Sequence, residues 1–385
     1  MRKCLRQKSL SSIINTEFGK GKFTSQSYNQ ISLNMKVLII GAGNLGNAFA
    51  ADLSSRNHRV SIWTHPSHPG NSIKIANEGL EAKGAVVGHF YPTILPDLGH
   101  AVSEAEAIIV TIPAKAGVKE ELKVRLAEHD LASKILIWVP GLLASLVGVK
   151  LSTAATFEAS NSPYGCRIDE GKAFIKAFKK VIEIAAFDAD SETEYRSQVE
   201  ALFPSRLEWR ANILDVAMHN TNFITHPVTV IENAQRILAG ESFRFYRDGM
   251  TPSVCEKMEK LDELRMSVIA KFNFAGISHI GLVNRWYGRN EPNYLAFARN
   301  SPSHNATLGV PSDMQHRYLT EDCRMLPFYR GLAEKFGINA EIADWVLAQA
   351  RALAGEDFEE TGLTLAKLDM EGLSGDEIVA KWGAN

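Results

Sequence analysis

The chain has 385 residues, of which 45% are hydrophobic and 22% charged, and its formal net charge is -2. This length allows about two domains with a substantial core. Because the net charge is near neutral, we expect no nucleic-acid partner. Because no apolar run approaches roughly 20 residues, we expect no membrane partner. The four cysteines are scattered without a CxxC pair, so we expect reduced thiols in a cytoplasmic protein and no metal site.

The first 34 residues differ in composition from the rest of the chain. They carry a single acid, Glu17, against the basic residues Arg2, Lys3, Arg6, Lys8, Lys20 and Lys22. An acid-poor leader of this kind is typical of an organelle transit peptide, but this one lacks a clear amphipathic period. Met35 stands immediately before the first predicted strand, so a start of translation there, or an unstructured extension, is the simpler interpretation. We therefore treat residues 1–34 as outside the fold.

The segment from Lys36 to Gly46 reads KVLIIGAGNLG, an apolar run followed by a glycine-rich turn. The apolar run predicts a parallel strand buried on both faces. Gly41 permits the tight turn, Gly43 lets the backbone approach a pyrophosphate, and Gly46 lets the next helix pack closely. The N-terminus of that helix would direct its dipole at the pyrophosphate. The segment therefore predicts a dinucleotide-binding turn made of Gly41, Gly43, Asn44, Leu45 and Gly46.

Further strands follow in the same half of the chain. The run from Arg59 to Thr64 predicts the second strand, and two more buried-type strands end at Pro113 and Pro140. Loops therefore open at the carboxyl ends of the strands, where α/β sheets bind ligands, and we place Pro113 beside the cofactor. Shorter extended pieces between residues 154 and 186 are expected at the far edge of the same sheet, in part antiparallel.

From about residue 211 the apolar spacing becomes helical and strand-like runs are absent. The predicted fold class is α/β, with an N-terminal Rossmann-type doubly wound sheet over residues 35–210 followed by an all-α C-terminal domain over residues 211–385. Two domains of this kind enclose a cleft between the sheet ends and the helices, where small substrates commonly bind.

His226 is the most distinctive of the 11 histidines. It lies in a segment predicted to be helical from Asp215 to Glu232, and Pro227 follows it directly. The proline removes an amide donor, so we expect a kink at His226. Asn222, four residues earlier, lies on the same face. A histidine can accompany hydride transfer as a proton donor or acceptor, but one on a helix is as commonly a satisfied core residue. The pattern leaves both alternatives open.

The segment Arg317–Asp322 reads RYLTED. An arginine can hold a substrate carboxylate through two parallel hydrogen bonds. A carboxylate can orient an imidazole and stabilise its protonated form. The same spacing is also typical of ordinary surface charge, so it assigns no role by itself.

Together these segments resemble the octopine/nopaline (opine) dehydrogenase family. The resemblance covers nearly everything after Met35, and its motifs are Gly41–Gly46, Asn222–Pro227, Tyr246–Val254, Leu261–Arg265, Arg317–Asp322 and Thr364–Leu368. It implies NAD(P)H-dependent reductive condensation of an α-keto acid with the amino group of an amino acid, which yields a secondary amine dicarboxylate.

The resemblance also implies roles for individual residues. His226 is the general acid/base, and Asp322 is its partner, expected to hold the tautomer and raise the pKa of the imidazole. Arg317 binds the keto-acid carboxylate, and Asn222 and Thr251 are polar contacts in the cleft.

Two features depart from the family pattern. Many members carry a histidine shortly after the motif that begins at Pro113, and this chain has none there. The second strand ends at Thr64, where an acid would bind the ribose of NAD, and the neighbouring His65 and His68 would tolerate a 2′-phosphate. The sequence therefore slightly favours NADP over NAD, with Thr64 at the cofactor.

Alternative functions stay open. A ketopantoate-reductase-like 2-hydroxy-acid dehydrogenase shares the architecture but uses a lysine where this chain has Met218. A non-catalytic nucleotide-sensing protein on the same fold would require His226, Arg317 and Asp322 to be idle. We expect small-molecule partners, a keto acid and an amino acid that the sequence does not name, and a homodimer is compatible with the sequence.

Overall fold

A computed structural model describes residues 34–302 and 304–384. The predicted leader, apart from Asn34, lies outside the described residues. The strands of the described chain are β1 (Lys36–Ile40), β2 (Arg59–Trp63), β3 (Leu80–Gly84), β4 (Gly88–Phe90), β5 (Thr93–Ile94), β6 (Ala107–Val110), β7 (Ile135–Trp138), β8 (Ala155–Ala159), β9 (Tyr164–Asp169), β10 (Lys172–Phe178), β11 (Val181–Ala186) and β12 (Arg206–Trp209).

Helices alternate with these strands and then replace them. They are α1 (Asn44–Ser55), α2 (Ser72–Glu78), α3 (Leu98–Glu104), α4 (Val118–Leu126), α5 (Ala189–Leu202), α6 (Ile213–Met218), α7 (Asn222–Glu232), α8 (Ala234–Leu238), α9 (Pro252–Lys271), α10 (His279–Tyr287), α11 (Tyr294–Asn300), α12 (Arg317–Thr320), α13 (Leu326–Phe336), α14 (Glu341–Ala354), α15 (Phe358–Thr361) and α16 (Gly375–Trp382). Short 3₁₀ helices span Asp322–Met325 and Ala366–Leu368.

The main sheet has eight strands in the order β12-β11-β8-β7-β6-β1-β2-β5. Strands β2 and β5 extend it on one side of β1, and β6, β7 and β8 extend it in parallel on the other. This reversal of strand order at β1 is the switch point of a doubly wound sheet. The apolar residues of β1 are at most 1% exposed, as expected of a strand covered on both faces. The predicted Rossmann-type sheet is therefore confirmed.

The expectation that all extended pieces between residues 154 and 186 belong to this sheet is wrong in part. Strands β8 and β11 do pair antiparallel near its edge, but β9 and β10 form a second, four-stranded sheet in the order β4-β3-β10-β9. Glu170 and Gly171, both with positive φ, form the tight turn of the β9–β10 hairpin. The hairpin docks on the glycine turn, where the amide of Ile168 donates to Oδ1 of Asn44 at 2.7 Å.

Beyond β12 the described chain consists of helices joined by loops, and it contains no strand, only an isolated bridge between Arg244 and Leu308. Its core packs α7, α9, α13 and α14 together, with Leu261, Phe328 and Val346 fully buried. An all-α C-terminal half therefore follows the sheet, as predicted. Among the described residues no helix is both long and apolar enough to cross a membrane.

The helix predicted from Asp215 to Glu232 is interrupted between α6 and α7. The backbone bond that would join the two, from the Asn222 amide to the Met218 carbonyl, is replaced at both ends. The Asn222 amide donates to Oδ1 of Asn220 at 3.3 Å, and the Met218 carbonyl accepts from the guanidinium of Arg265 at 3.0 Å. A side chain that competes for backbone bonds in this way commonly ends a helix. Helix α7 therefore begins at Asn222, one turn before His226.

Candidate functional site

A cavity of about 920 Å³ lies between the carboxyl ends of β1, β6 and β7 and the helices α7 and α12. The expected cleft is thus present. The predicted site residues that line it are Gly41, Gly43, Asn44, Leu45, Pro113, Asn222, His226, Arg317 and Asp322.

The glycine turn has the shape that a dinucleotide requires. Gly41 has a φ of +107°, which side-chain-bearing residues rarely adopt. A Cβ at Gly46 would lie 1.9 Å from the carbonyl oxygen of Gly41, so only glycine allows α1 to start this close to β1. A Cβ at Gly43 would meet no protein atom within 4 Å, because this position faces the cavity. An open backbone at a helix N-terminus fits a pyrophosphate.

Other predicted cofactor residues have different placements. Leu45 and Pro113 line the cavity, whereas Gly46 is buried behind the turn. The side chain of Asn44 is occupied by the β9 amide described above. Thr64 does not line the cavity, and its hydroxyl lies 3.2 Å from Oγ of Ser72; its neighbour His65 does line the cavity.

His226 and Asp322 are adjacent. Nδ1 of His226 lies 2.7 Å from Oδ2 of Asp322, although the two residues are 96 positions apart. This bond assigns the hydrogen to Nδ1 and leaves Nε2 as an acceptor, a tautomer inferred from the network. Nε2 lies 3.1 Å from the hydroxyl of Tyr246, which can donate to it.

Asp322 raises the pKa of His226, as expected, but the net shift from the ordinary value is in the opposite direction. Burial lowers the pKa of His226, and this effect exceeds the opposing effect of Asp322. The positive charges of Arg317 and Lys179 lower it further. Sequence patterns do not report how deeply an imidazole is buried, so this balance was not predictable from Asp322 alone. The imidazole is therefore neutral at neutral pH.

Several aromatic residues that the sequence analysis assigned no role complete the wall around His226. The ring of Tyr318 stacks on the imidazole with 3.9 Å between centroids and 12° between planes. Tyr246 meets His304 edge-on at 4.8 Å, and both line the cavity. Tyr246 and Tyr318 each stand inside a motif quoted above, so their positions were visible in the sequence but their chemistry was not. His304 lies in a loop and gave no signal.

Arg317 lines the cavity, with its guanidinium carbon 4.8 Å from the ring centroid of Tyr318. It forms no ion pair or hydrogen bond through its side chain with the described residues, so its donors are available to a ligand. Asn222 lines the cavity as expected.

The expectation that Thr251 is a contact in the cleft is not met. Thr251 is exposed and does not line the cavity, and it caps α9 because its side chain accepts from the amide of Val254. Within the described chain no group of His, Cys, Asp and Glu is arranged to hold a metal ion.

Comparison with known proteins agrees with this geometry. A model of the NAD/NADP octopine/nopaline dehydrogenase alpha-helical domain matches residues 209–354, and a model of the NAD-dependent glycerol-3-phosphate dehydrogenase N-terminus matches residues 36–145. Protein ocs of Agrobacterium tumefaciens (strain Ach5) is 31% identical over 355 residues, which cover 89% of this chain and 98% of that protein. Vitopine synthase of Allorhizobium ampelinum is 32% identical over 365 residues, which cover 91% of this chain and 99% of that protein.

Among solved structures, octopine dehydrogenase in complex with NADH and agmatine is similar, with a TM-score of 0.70 and 17% identity over 91% of this chain and 99% of that one. At that identity the structural likeness shows the fold alone. Protein ocs and vitopine synthase are both above 30% identity and are each matched over nearly their entire length. This chain therefore belongs to the octopine/nopaline dehydrogenase family, as the sequence resemblance predicted.

Proposed function

We propose that this chain is an NAD(P)H-dependent opine dehydrogenase, which condenses an α-keto acid with the amino group of an amino acid and reduces the product to a secondary amine dicarboxylate. The observation that carries the proposal is the single cavity that holds both the glycine turn and the His226–Asp322 pair. In this proposal residues 35–210 bind the nucleotide, and residues 211–385 form the substrate domain that supplies Arg317 and the His226–Asp322 pair. Family membership supports the same reaction class.

The chain's own residues account for binding and proton transfer. Arg317 holds the keto-acid carboxylate through its free guanidinium donors. The neutral imidazole of His226 takes a proton from the ammonium group of the amino acid, so that the amine can attack the keto carbon. After the proton on the attacking nitrogen has passed to the carbinolamine oxygen, the imidazolium returns its proton to that hydroxyl, which leaves as water and gives the protonated imine. When bound, NAD(P)H would supply the hydride that reduces this protonated imine to the secondary amine.

Asp322 and Tyr246 position the imidazole for these steps. Asp322 accepts the hydrogen on Nδ1, which directs Nε2 toward the cavity. The Tyr246 hydroxyl occupies a place beside Nε2 where a substrate oxygen would otherwise bond, so it shifts or relays the proton when substrate enters. Asn222 adds an amide to the same wall.

NADP remains slightly favoured over NAD, because no acid stands at the end of β2. A carboxylate from another element does lie near the end of β2 and could favour NAD instead. Glu121 lies 3.5 Å from Nε2 of His65, and both residues line the cavity. Glu121 is therefore the residue that would take over the role of the missing acid if the enzyme prefers NADH.

The decisive experiment is a grid of keto acids and amino acids, assayed with NADPH and NADH and the purified enzyme. We expect oxidation of NAD(P)H only when both an amino acid and a keto acid are present, and we expect mass spectrometry to detect a secondary amine dicarboxylate as the product. If a keto acid alone supports NAD(P)H oxidation and the product is a 2-hydroxy acid, the ketopantoate-reductase-like alternative is supported instead. Nucleotide binding with no turnover of any pair would support the sensing alternative.

A further inference from the structure

Lys179 lies in the connection between β10 and β11, on the sheet side of the cavity. The residue is only 6% exposed. Its backbone is held at both polar groups, because its amide donates to the carbonyl of Pro163 at 2.8 Å and its carbonyl accepts from Oγ of Ser205 at 2.7 Å. A fixed backbone therefore directs a buried lysine into the same cavity as His226 and Arg317.

The ammonium group of Lys179 lacks an anionic partner in the described chain. It lies 4.2 Å from the ring centroid of Trp286, a cation–π contact, and forms no hydrogen bond or ion pair with the described residues. The nearby Glu183 forms no ion pair with Lys179; its Oε2 accepts from Oγ of Ser160 at 2.8 Å and from Nε1 of Trp286 at 3.2 Å, and its Oε1 has no partner among the described residues. A buried ammonium without hydrogen bonds is costly, so its retention calls for a ligand that compensates it.

Burial lowers the pKa of Lys179 to about 7, although the carboxylate of Glu183 and the thiol of Cys166 act in the opposite direction. An anion arriving from the cavity would restore the full positive charge. Lys179 and Arg317 both lower the pKa of His226, so both cations lie within electrostatic reach of the proposed acid/base.

The carboxylates of the helical wall are already engaged. Asp322 bonds to His226, and Glu321 accepts from the amide of Ala114 at 3.0 Å. The product of the proposed reaction carries two carboxylates, and Arg317 accounts for one of them. The second needs donors in the same cavity, and a buried cation there without an anionic partner is suited to that role.

We propose that the ammonium group of Lys179 binds the carboxylate of the amino-acid substrate, while Arg317 binds that of the keto acid. This inference rests on the proposed function and adds the second anchor of the substrate pair. One cation comes from the sheet and the other from α12, so a substrate pair held by both would span the cavity past His226. Charge-assisted bonds of this kind give geometric specificity as well as affinity.

The test compares the best amino-acid substrate with its carboxamide, which keeps the amine and side chain but loses the carboxylate. In Lys179→Met we expect the KM of the amino acid to rise by about tenfold or more, the size of a lost charge-assisted bond. The KM of the carboxamide and of the keto acid should not change. Lys180→Met is the matched control, because Lys180 is the exposed neighbour outside the cavity lining.

If Lys179→Met keeps the wild-type ratio between the KM of the amino acid and the KM of its carboxamide, the inference is overturned. A lower Tm with an unchanged KM would also overturn it, since Lys179 would then serve only to balance the charge of Glu183. Replacing a buried ammonium by a methionine of similar length should leave the protein folded, and thermal unfolding verifies this. Failure of the proposed function would give a different result. In that case no pair of keto acid and amino acid would support NAD(P)H oxidation by the wild-type enzyme.

Discussion

The side chain of Glu321 accepts a hydrogen bond from the backbone amide of Ala114 at 3.0 Å, across 207 residues of sequence. The carbonyl of the same Ala114 accepts from Nη1 of Arg324. Ala114 belongs to the loop after β6 that lines the cavity, and Asp322 lies between its two partners in sequence. One short segment of the helical half therefore fixes the sheet loop at the cofactor and the partner of His226 at the same time.

Removal of this contact should affect both stability and cofactor binding. Glu321→Ala leaves the amide of Ala114 without its partner, and a hydrogen bond to a charged group contributes about 1.5–3 kcal/mol. We expect a lower Tm together with a raised KM for NAD(P)H, measured by thermal unfolding and initial rates. Glu360→Ala is the control, because Glu360 is an exposed acid outside the cavity lining. An unchanged cofactor KM would reduce the contact to a purely structural one.

The sheet and the acid/base pair could be predicted from the sequence for different reasons. Continuous apolar runs mark buried parallel strands, and Gly41, Gly43 and Gly46 mark the turn, because local sterics decide both. His226 and Asp322 lie far apart in sequence, so no local rule pairs them, and only the family resemblance did so. The contact between Glu321 and Ala114 is equally non-local and had no such guide.

The misplacement of Thr251 has a local cause, whereas the net pKa shift of His226 has a non-local one. Thr251 followed by Pro252 is a typical start of a helix, with threonine at the N-cap and proline at the first helical position, and that signal correctly describes its place. Its presence in a family motif suggested a cleft contact instead. The direction of the pKa shift of His226 depends on burial by several distant segments, which no sequence pattern contains.

The glycine turn allows a clean separation of folding from cofactor binding. Gly43→Val should fold, because the new side chain points into open space, but it should abolish NAD(P)H binding by occupying the pyrophosphate site. Gly46→Ala should instead destabilise the protein, since its Cβ would collide with the carbonyl of Gly41. Fluorescence titration with NAD(P)H and thermal unfolding distinguish the two. Retained affinity in Gly43→Val would place the cofactor elsewhere.

Arg317→Lys preserves the charge but loses the planar two-point donor. We expect a KM for the keto acid raised by roughly tenfold, with nucleotide affinity unchanged, because only carboxylate geometry is altered. Steady-state kinetics over a range of keto-acid concentrations measures the effect. Arg330→Lys, at an arginine that pairs with Glu359 outside the cavity lining, is the matched control. If Arg317→Lys has the same KM as the wild-type enzyme for every keto acid tested, Arg317 does not bind the carboxylate.

The pH dependence follows from the lowered pKa of His226. Burial, with Arg317 and Lys179, keeps the imidazole neutral until the pH falls below its ordinary value of 6.5. The reaction needs the neutral form to accept the first proton, so kcat/KM should fall on the acid side with an apparent pKa below 6.5. Asp322→Asn removes the group that raises this pKa, so the acid limb should move to still lower pH. If the acid side of the kcat/KM profile has an apparent pKa above 6.5, or if Asp322→Asn does not shift it, the titrating group is not His226.

The His226–Asp322 pair should behave as a unit in mutant kinetics. His226→Ala removes the acid/base, and we expect kcat to fall by about 10²–10⁴. Asp322→Asn should cost less, because the imidazole remains but its tautomer is no longer held by a carboxylate on Nδ1. The double variant should be little worse than His226→Ala, since the partner has no function without the imidazole. Single-turnover rates at saturating substrates measure all three, with His100→Ala, an exposed histidine outside the cavity lining, as the control. Losses that simply multiply in the double variant would mean that the two residues act independently despite their 2.7 Å contact, and the pair would then be structural.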